Sequence, residues 1–93
     1  MKKALARFIG QPIVVDTRSS LVYLGTLAEV DDRCLALTEA DVWNAGETPT
    51  PKERYIMDSK TSGIKANRDR VYVSLEWVVS FSPLADIKEF RNV

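Results

Sequence analysis

Four cations lie close together between residues 60 and 70, and phosphate binding is the chemistry that such a cluster suits. The cluster consists of Lys60, Lys65, Arg68 and Arg70. Each cation can neutralise a phosphate charge, and an assembly of several copies would repeat a weak patch around a rim. Asp58 and Asp69 dilute the cluster, so the alternative is an ordinary solvated loop. The residues that carry the nucleic-acid hypothesis are Lys65, Arg68 and Arg70.

Three carboxylates, Glu29, Asp31 and Asp32, could offer oxygen ligands to a hard cation such as Mg²⁺ or Ca²⁺. A dedicated calcium loop needs more ligands at fixed offsets than these residues supply. Aspartate side chains also bond their own backbone in turns, and that role accounts for Asp31 and Asp32 without a metal. We therefore predict a turn here, with no metal site and no cofactor.

The chain offers little that could perform catalysis. It contains no histidine, its single cysteine is Cys34, and it has no glycine-rich loop that could hold phosphate groups. A carboxylate-only mechanism has no further support in the sequence. We expect a binding or structural protein and not an enzyme.

Composition indicates one packed domain that covers residues 1–93. Hydrophobic residues make up 45% and charged residues 28% of the chain, which is the ordinary globular range. The 13 basic and 13 acidic residues cancel, so self-association is electrostatically permitted and nucleic-acid binding must be local. One cysteine gives no disulfide framework, and no apolar run approaches the roughly 20 residues of a membrane helix. We expect a soluble, cytoplasmic protein with no membrane partner.

Hydrophobic periodicity predicts a helix and three strands in the first half of the chain. Residues 2–9 have helical spacing, and period-two patterns predict strands over residues 13–18, 21–30 and 34–42. Gly25 lies in the middle of the second strand, where a missing side chain allows a sharp bend. A bent strand of this kind predicts a small closed barrel.

The strand pattern breaks over residues 43–70, which we interpret as an insertion on the barrel. The Thr-Pro repeat that ends at Pro51 excludes ladder pairing. Thr50 with Glu53 three residues later predicts a capping box at the start of a helix that ends near Gly63. Residues 43–70 are therefore expected to be partly helical.

Two final strands are predicted to meet near Glu76. The fourth strand covers residues 71–76, and the fifth continues the apolar set through Trp77, Val79 and Phe81. The tail over residues 88–93 is expected to fray. The expected fold is mostly β: a five-stranded, bent, SH3-like barrel with an N-terminal helix and an insertion between strands three and four.

One motif resembles the Sm-like family, which includes the bacterial host factor Hfq. The first Sm motif runs from a hydrophobic strand through a bend glycine to an aspartate six residues later, and this chain has residues that match those positions. They are Gly25, Leu27, Asp31 and Leu37. The order of the elements also resembles the family over most of the chain. The resemblance implies an Sm-like barrel and a homo-oligomeric ring in which the fourth strand of one subunit pairs with the fifth of the next.

The resemblance also implies sites, and the chain departs from the family pattern at some of them. Leu35 stands where RNA-binding Sm proteins have a base-reading asparagine, and residues 71–76 lack the Arg-Gly that ends the second motif. Arg33 stands at the position of a base-stacking side chain, and Ser74 is expected near the pore. A guanidinium can stack on a base and bind phosphate. The alternative is a solvent-exposed arginine in the turn, whose charge balances the two carboxylates before it.

The last strand gives a separate argument for assembly. Residues 77–81 contain no charge or proline that would protect an exposed strand edge, and natural proteins seldom leave such an edge unpaired. Pairing in a closed symmetry avoids polymerisation. The predicted interface residues are Val71, Val73, Trp77, Val79 and Phe81. Trp77 is in phase with Val79 and Phe81, which places it in the core or at the interface.

Two functions remain open from the sequence. The first is an Sm-like homo-oligomeric ring that binds RNA or another single-stranded nucleic acid weakly. It would use Arg33 and Ser74 near the pore and the basic insertion on a rim. The second is a structural ring whose insertion recruits a protein partner, which the neutral charge and the departures from the RNA-binding motifs favour. The two differ in salt response, because phosphate contacts weaken as salt rises and apolar protein contacts do not.

Overall fold

The computed structural model describes residues 1–88, which form five strands, two helices and three short 3₁₀ helices. In chain order the main elements are α1 (Lys2–Ala6), β1 (Pro12–Thr17), β2 (Leu21–Val30), β3 (Cys34–Asn44), α2 (Lys52–Ser62), β4 (Arg68–Ser74) and β5 (Val78–Pro83). The predicted fraying of the tail falls, except at Lys88, outside the described residues. None of the helices in residues 1–88 has the length and apolar character needed to cross a membrane.

The five strands form one antiparallel sheet in the order β4-β3-β2-β1-β5. β1 pairs with β2 on one side and with β5 on the other, which bends the sheet around the core. Within the described residues, β4 pairs with β3 alone and β5 with β1 alone, so each has one unpaired edge. The predicted mostly β, five-stranded fold with an N-terminal helix is confirmed.

Gly25 is buried at the sharpest irregularity of the sheet. The register of β2 on β3 shifts between Leu24 and Thr26, opposite Glu39, whose φ of 47° lies in the left-handed region. A Cβ atom on Gly25 would lie 3.0 Å from the Leu37 Cβ and 3.1 Å from the Thr38 carbonyl oxygen. β3 approaches the bend so closely that a methyl group on residue 25 would force its neighbours to shift by a few tenths of an ångström.

The replacement Gly25→Ala is expected to lower the free energy of unfolding by about 1–3 kcal/mol, the usual cost of overpacking a core. The Thr38 carbonyl belongs to the paired backbone of β3 and cannot yield without breaking the ladder. Urea unfolding followed by circular dichroism measures the change. Gly46→Ala is the matched control, because Gly46 is exposed and a Cβ added there would meet only the Asn44 Oδ1 atom, at 3.3 Å. Equal stability of both variants would contradict the close approach at Gly25.

Two apolar clusters pack on opposite faces of the sheet. The inner cluster fills the barrel, and α1 closes it with the fully buried Leu5 and with Phe8, whose ring meets Phe81 edge-on at 5.9 Å. The outer cluster lies between the convex face of β1 and β2 and the covering elements. Ile56 of α2 and Leu84 of the last 3₁₀ helix bury it. The insertion that contains α2 therefore packs on the barrel and forms a second core with it.

The insertion is shorter than the predicted residues 43–70, because both flanking strands extend into it. β3 continues to Asn44, and β4 begins at Arg68 instead of Val71. Asn67 explains the early start of β4. Its side-chain oxygen accepts from the Val42 N–H at 3.0 Å and its amide donates to the Val42 carbonyl at 3.2 Å. The Asn67 side chain therefore bonds the backbone of β3 at Val42, and from Arg68 onward the backbone of β4 pairs with β3.

The predicted capping box at Thr50 and Glu53 is wrong. α2 begins at Lys52, Pro51 occupies the cap position, and no side chain caps the helix. Glu53 is therefore the second helical residue, one short of the third position that a capping box requires. Glu53 still lies in the first turn, where a negative charge favours the helix dipole.

The fifth strand begins one residue later than predicted. Residues Leu75–Trp77 form a 3₁₀ helix, and β5 starts at Val78 with an irregular register opposite Thr17. The pairing of β5 with β1 skips Val79, between Thr17–Val78 and Asp16–Ser80, and this bulge changes the alternation. Val78 is buried while Trp77 and Val79 are 54% and 61% exposed. A core position for Trp77 is excluded in the isolated chain, and its place at an interface stays a prediction.

Candidate nucleic-acid interface

The turn between β2 and β3 is organised by Asp31. One of its carboxylate oxygens accepts from the backbone N–H of Arg33 and of Cys34, both at 2.8 Å. These bonds, first that from Cys34 and then that from Arg33, lower the pKa of Asp31. Burial, together with the nearby Asp31 charge, raises the pKa of the Cys34 thiol. Asp31 thus acts as the predicted turn residue and presents Arg33 at the tip.

Asp32 turns away from Arg33 and pairs with Lys2 of α1, the Lys2 Nζ lying 2.9 Å from the carboxylate. Both side chains are exposed, so the pair contributes little stability. No ion pair within 4.0 Å joins Arg33 to Asp31 or Asp32. Arg33 is exposed in this turn, as the alternative predicted, but it is paired with neither carboxylate.

The structure brings Arg33 and Ser74 together. The backbone N–H of Leu75 donates to the Arg33 carbonyl at 2.8 Å, which joins the β2–β3 turn to the end of β4. The two segments border a recess of about 480 Å³. Its lining consists of Asp32, Arg33, Ser74, Leu75 and Glu76. One guanidinium therefore shares this recess with two carboxylates.

The basic cluster of the insertion divides into separate parts. Lys60 of α2 donates to the backbone carbonyls of Ala85 and Ile87, so it holds the last 3₁₀ helix against α2. Lys65 borders a different pocket, which also contains Asp41 and Asp58. Proximity in the sequence therefore does not make these lysines part of one phosphate-binding surface with the two arginines.

Arg68 and Arg70 lie on the outer face of β4 and share it with Tyr72. Successive strand residues point to opposite faces, so residues 68, 70 and 72 share one face while Asp69 lies on the other. The Arg70 guanidinium lies 6.0 Å from the centroid of the Tyr72 ring, and Tyr72 is 59% exposed. Sequence reasoning missed Tyr72 because β4 was predicted to start after the arginines, which hid their common alternation.

The pocket at Lys65 lies between α2 and β3 and has a volume of about 340 Å³. The rings of Trp43 and Tyr55 stack beside it, 4.8 Å apart and 6° from parallel. The Tyr55 hydroxyl donates to Asp41 at 2.6 Å, and burial with this carboxylate raises the pKa of Tyr55. Trp43 therefore packs against α2.

The predicted interface residues lie along the two unpaired edges. Val73 is buried and Val71 half-buried in β4, where both contribute to the inner core. Phe81 is half-buried against α1, while Trp77 and Val79 expose more than half of their surface. Trp77 also borders an open groove with Tyr23 and Tyr72, so exposed aromatic surface continues from the start of β5 to the edge of β4.

Comparison with known proteins identifies the class of fold. No protein-family model matches the chain, and no curated protein sequence matches it. Among solved structures, the chain is similar to the Sm protein of Pyrococcus abyssii in complex with a uridine heptamer. The TM-score is 0.60 at 14% sequence identity, and the match covers 87% of this chain and 93% of the other. The chain therefore has the Sm-like fold that its first motif predicted.

Proposed function

We propose that this protein assembles into a homo-oligomeric ring of Sm-like barrels and binds single-stranded RNA weakly. The observation that carries the RNA part is the meeting of Arg33 and Ser74 through the Leu75–Arg33 hydrogen bond. These are the two loop positions at which the Sm resemblance implies RNA contact. The similar Pyrococcus abyssii Sm protein was solved with a uridine heptamer, which supports uridine-rich RNA as the first ligand to test.

The ring is supported by the two unpaired edges of the sheet. An exposed strand edge offers free backbone donors and acceptors that readily pair with another chain. β4 and β5 are these edges, and Trp77 and Val79 leave apolar surface uncovered beside the second of them. Pairing of β4 with β5 of the next subunit would satisfy both edges, and rotation would close the assembly.

The RNA contact is supported by cations that ring symmetry would repeat in every subunit. The candidate residues are Arg33, Ser74, Lys65, Arg68 and Arg70. With 13 basic and 13 acidic residues the chain has no net charge, so affinity depends on these local positions and is expected to be weak and sensitive to salt. We propose that the protein acts in the cytoplasm as a binding module without catalytic activity.

A second candidate is a ring that binds a protein partner instead of nucleic acid. The composition of the Arg33 recess favours it, since Asp32 and Glu76 oppose the approach of phosphate. Leu35 also replaces the base-reading asparagine, and it is fully buried in the inner core. Under this proposal α2 and its pocket at Trp43 and Tyr55 would form the contact surface.

Fluorescence anisotropy of labelled oligouridine, titrated at low and at moderate salt, decides between the two. Light scattering on the same preparation gives the mass of the particle. A multimer with saturable binding that weakens as salt rises supports the RNA ring. A multimer that does not bind oligouridine at low salt makes the protein-binding ring the better proposal, and a monomer would contradict both.

A further inference from the structure

We infer that single-stranded RNA binds along the outer face of β4, where Tyr72 stacks on a base and Arg70 and Arg68 contact the phosphates. The inference rests on the proposed RNA binding and names the surface that performs it. It places the larger share of the RNA contacts on an open stripe of the sheet and the smaller share at the Arg33 recess. The residues Arg68, Arg70 and Tyr72 are called the β4 stripe below.

The Arg33 recess and the β4 stripe differ in their local charge. In the recess, Arg33 lies with Glu76 and with Asp32, whose carboxylate is paired with Lys2, so this surface carries no net positive charge. In the β4 stripe, two guanidinium groups lie on one face, and neither forms an ion pair within 4.0 Å in residues 1–88. Phosphate binding releases counterions from each neutralised charge, so the surface with more free cations binds more tightly.

The carboxylates near the β4 stripe leave its arginines accessible. Asp69 separates the arginines in sequence but lies on the opposite face of the strand. Glu39 is exposed in the β3 bulge between the partners of Arg70 and Arg68, and it is not paired with either arginine. Glu29 and Asp31 border a recess at the far end of the stripe, beside Tyr72.

The neighbouring strand leaves the stripe open to solvent. In the β3–β4 register, Tyr72 lies opposite Ala36 and Arg70 opposite Thr38. These small side chains cannot cover an aromatic ring or a guanidinium. The elements that cover the outer face of the sheet, α2 and the last 3₁₀ helix, pack on β1, β2 and the end of β3. The side chains of Arg68, Arg70 and Tyr72 on β4 remain exposed.

Tyr72 has the geometry of a stacking platform. It is 59% exposed and borders a small recess of about 170 Å³, which is otherwise lined by Glu29, Val30, Asp31, Cys34 and Ala36. Aromatic rings bind single strands by stacking on bases of any sequence. The Arg70 guanidinium, 6.0 Å from the ring centroid, lies within reach of the phosphate of the same nucleotide.

The stripe is compatible with the proposed ring. Strand pairing between subunits would use the backbone edge of β4, whereas the stripe consists of side chains that stand roughly perpendicular to the sheet. Each subunit would then contribute one stripe next to the junction with its neighbour. Several equivalent stripes would give the whole particle a higher affinity than one alone.

Oligouridine binding by variants of the full chain tests the inference. Arg68→Gln/Arg70→Gln is expected to weaken binding at least tenfold and to reduce the slope of log K against log salt by about 1.4, two phosphate contacts at roughly 0.7 each. Tyr72→Thr keeps β propensity but removes the ring, and is expected to weaken binding roughly 5- to 100-fold. Tyr72→Phe is expected to retain wild-type affinity.

Arg54→Gln is the matched control, since it removes one exposed arginine from α2, and it is expected to change affinity less than twofold. Arg33→Gln, in the recess, is expected to weaken binding less than Arg68→Gln/Arg70→Gln does. If the wild type binds while the stripe variants bind equally well and Arg33→Gln does not, the inference is wrong and the proposed RNA ring stands. If the wild type itself does not bind, the proposed function fails.

Photocrosslinking of the wild-type protein to oligouridine containing 5-iodouridine gives a test that needs no variant and therefore no assumption about folding or assembly. Aromatic side chains that stack on the base are the expected sites of attachment. Peptide mass spectrometry is expected to place the crosslink at Tyr72. A crosslink confined to residues 31–35 or 74–77 would overturn the inference in favour of the recess.

Discussion

Replacing Val79 by lysine is expected to convert the proposed ring into monomers of 10.5 kDa without unfolding the barrel. Val79 is 61% exposed on β5, beside an edge that has no partner in the described residues. A lysine on an edge strand is how natural sheets prevent pairing with another chain, because burying its charge against a neighbour is costly. Light scattering after size-exclusion chromatography measures the change in mass.

The effect on assembly must be separated from a general effect of added charge. Ile9→Lys is the matched control, since Ile9 is a large apolar residue of 50% exposure that lies outside the sheet. This variant is expected to keep the mass of the wild type. A Val79→Lys protein that remains a multimer, or an Ile9→Lys protein that also dissociates, would show that β5 is not the subunit contact.

Shortening Ile56 to alanine is expected to lower the free energy of unfolding by about 2–5 kcal/mol, the range for removing a large aliphatic side chain from a core. Ile56 is 3% exposed and contacts the outer cluster formed by Val14, Val22 and Leu24. The variant tests whether α2 is part of the cooperative fold. Urea unfolding followed separately by tryptophan fluorescence and by far-ultraviolet circular dichroism is the measurement.

Coincident transitions by both signals are expected, because Trp43 stacks on Tyr55 of α2 and thus reports on the helix together with the barrel. Thr61→Ala, an exposed change on the same helix, is the control and is expected to alter stability by less than about 0.5 kcal/mol. If Ile56→Ala is as stable as this control, α2 is not docked on the sheet in solution. The protein-binding alternative would then involve a segment that orders when its partner binds.

The relation between the two proposed functions follows from where the charges lie. The recess at Arg33 and Ser74 holds one arginine together with Asp32 and Glu76. The β4 stripe holds the cations on an open face. A ring of this kind would present nucleic acid with a weak, repeated outer surface, while α2 remains free to contact another macromolecule.

The sequence by itself determined the class of fold, because the signals involved are local. Alternation of apolar residues is a property of one strand, and it predicted β1, β2 and most of β3 without knowledge of their partners. Gly25 predicted the bend because a glycine inside a strand marks a close approach of backbone. Asp31 predicted its turn because its carboxylate bonds the N–H groups of the next residues.

The tertiary structure alone decided which functional groups meet, because contacts between distant residues leave no local pattern. Three cations that are close in sequence lie at different places in the fold. Lys60 bonds a backbone carbonyl of the last 3₁₀ helix, Lys65 borders a pocket with two aspartates, and Arg68 lies on the open face of β4. A bulge at Val79 leaves Val78 buried and Val79 exposed, which the alternation of Trp77, Val79 and Phe81 in the sequence did not show. Tyr72 lies on the same face as the two arginines because β4 already begins at Arg68, directly after the bonds between Asn67 and Val42.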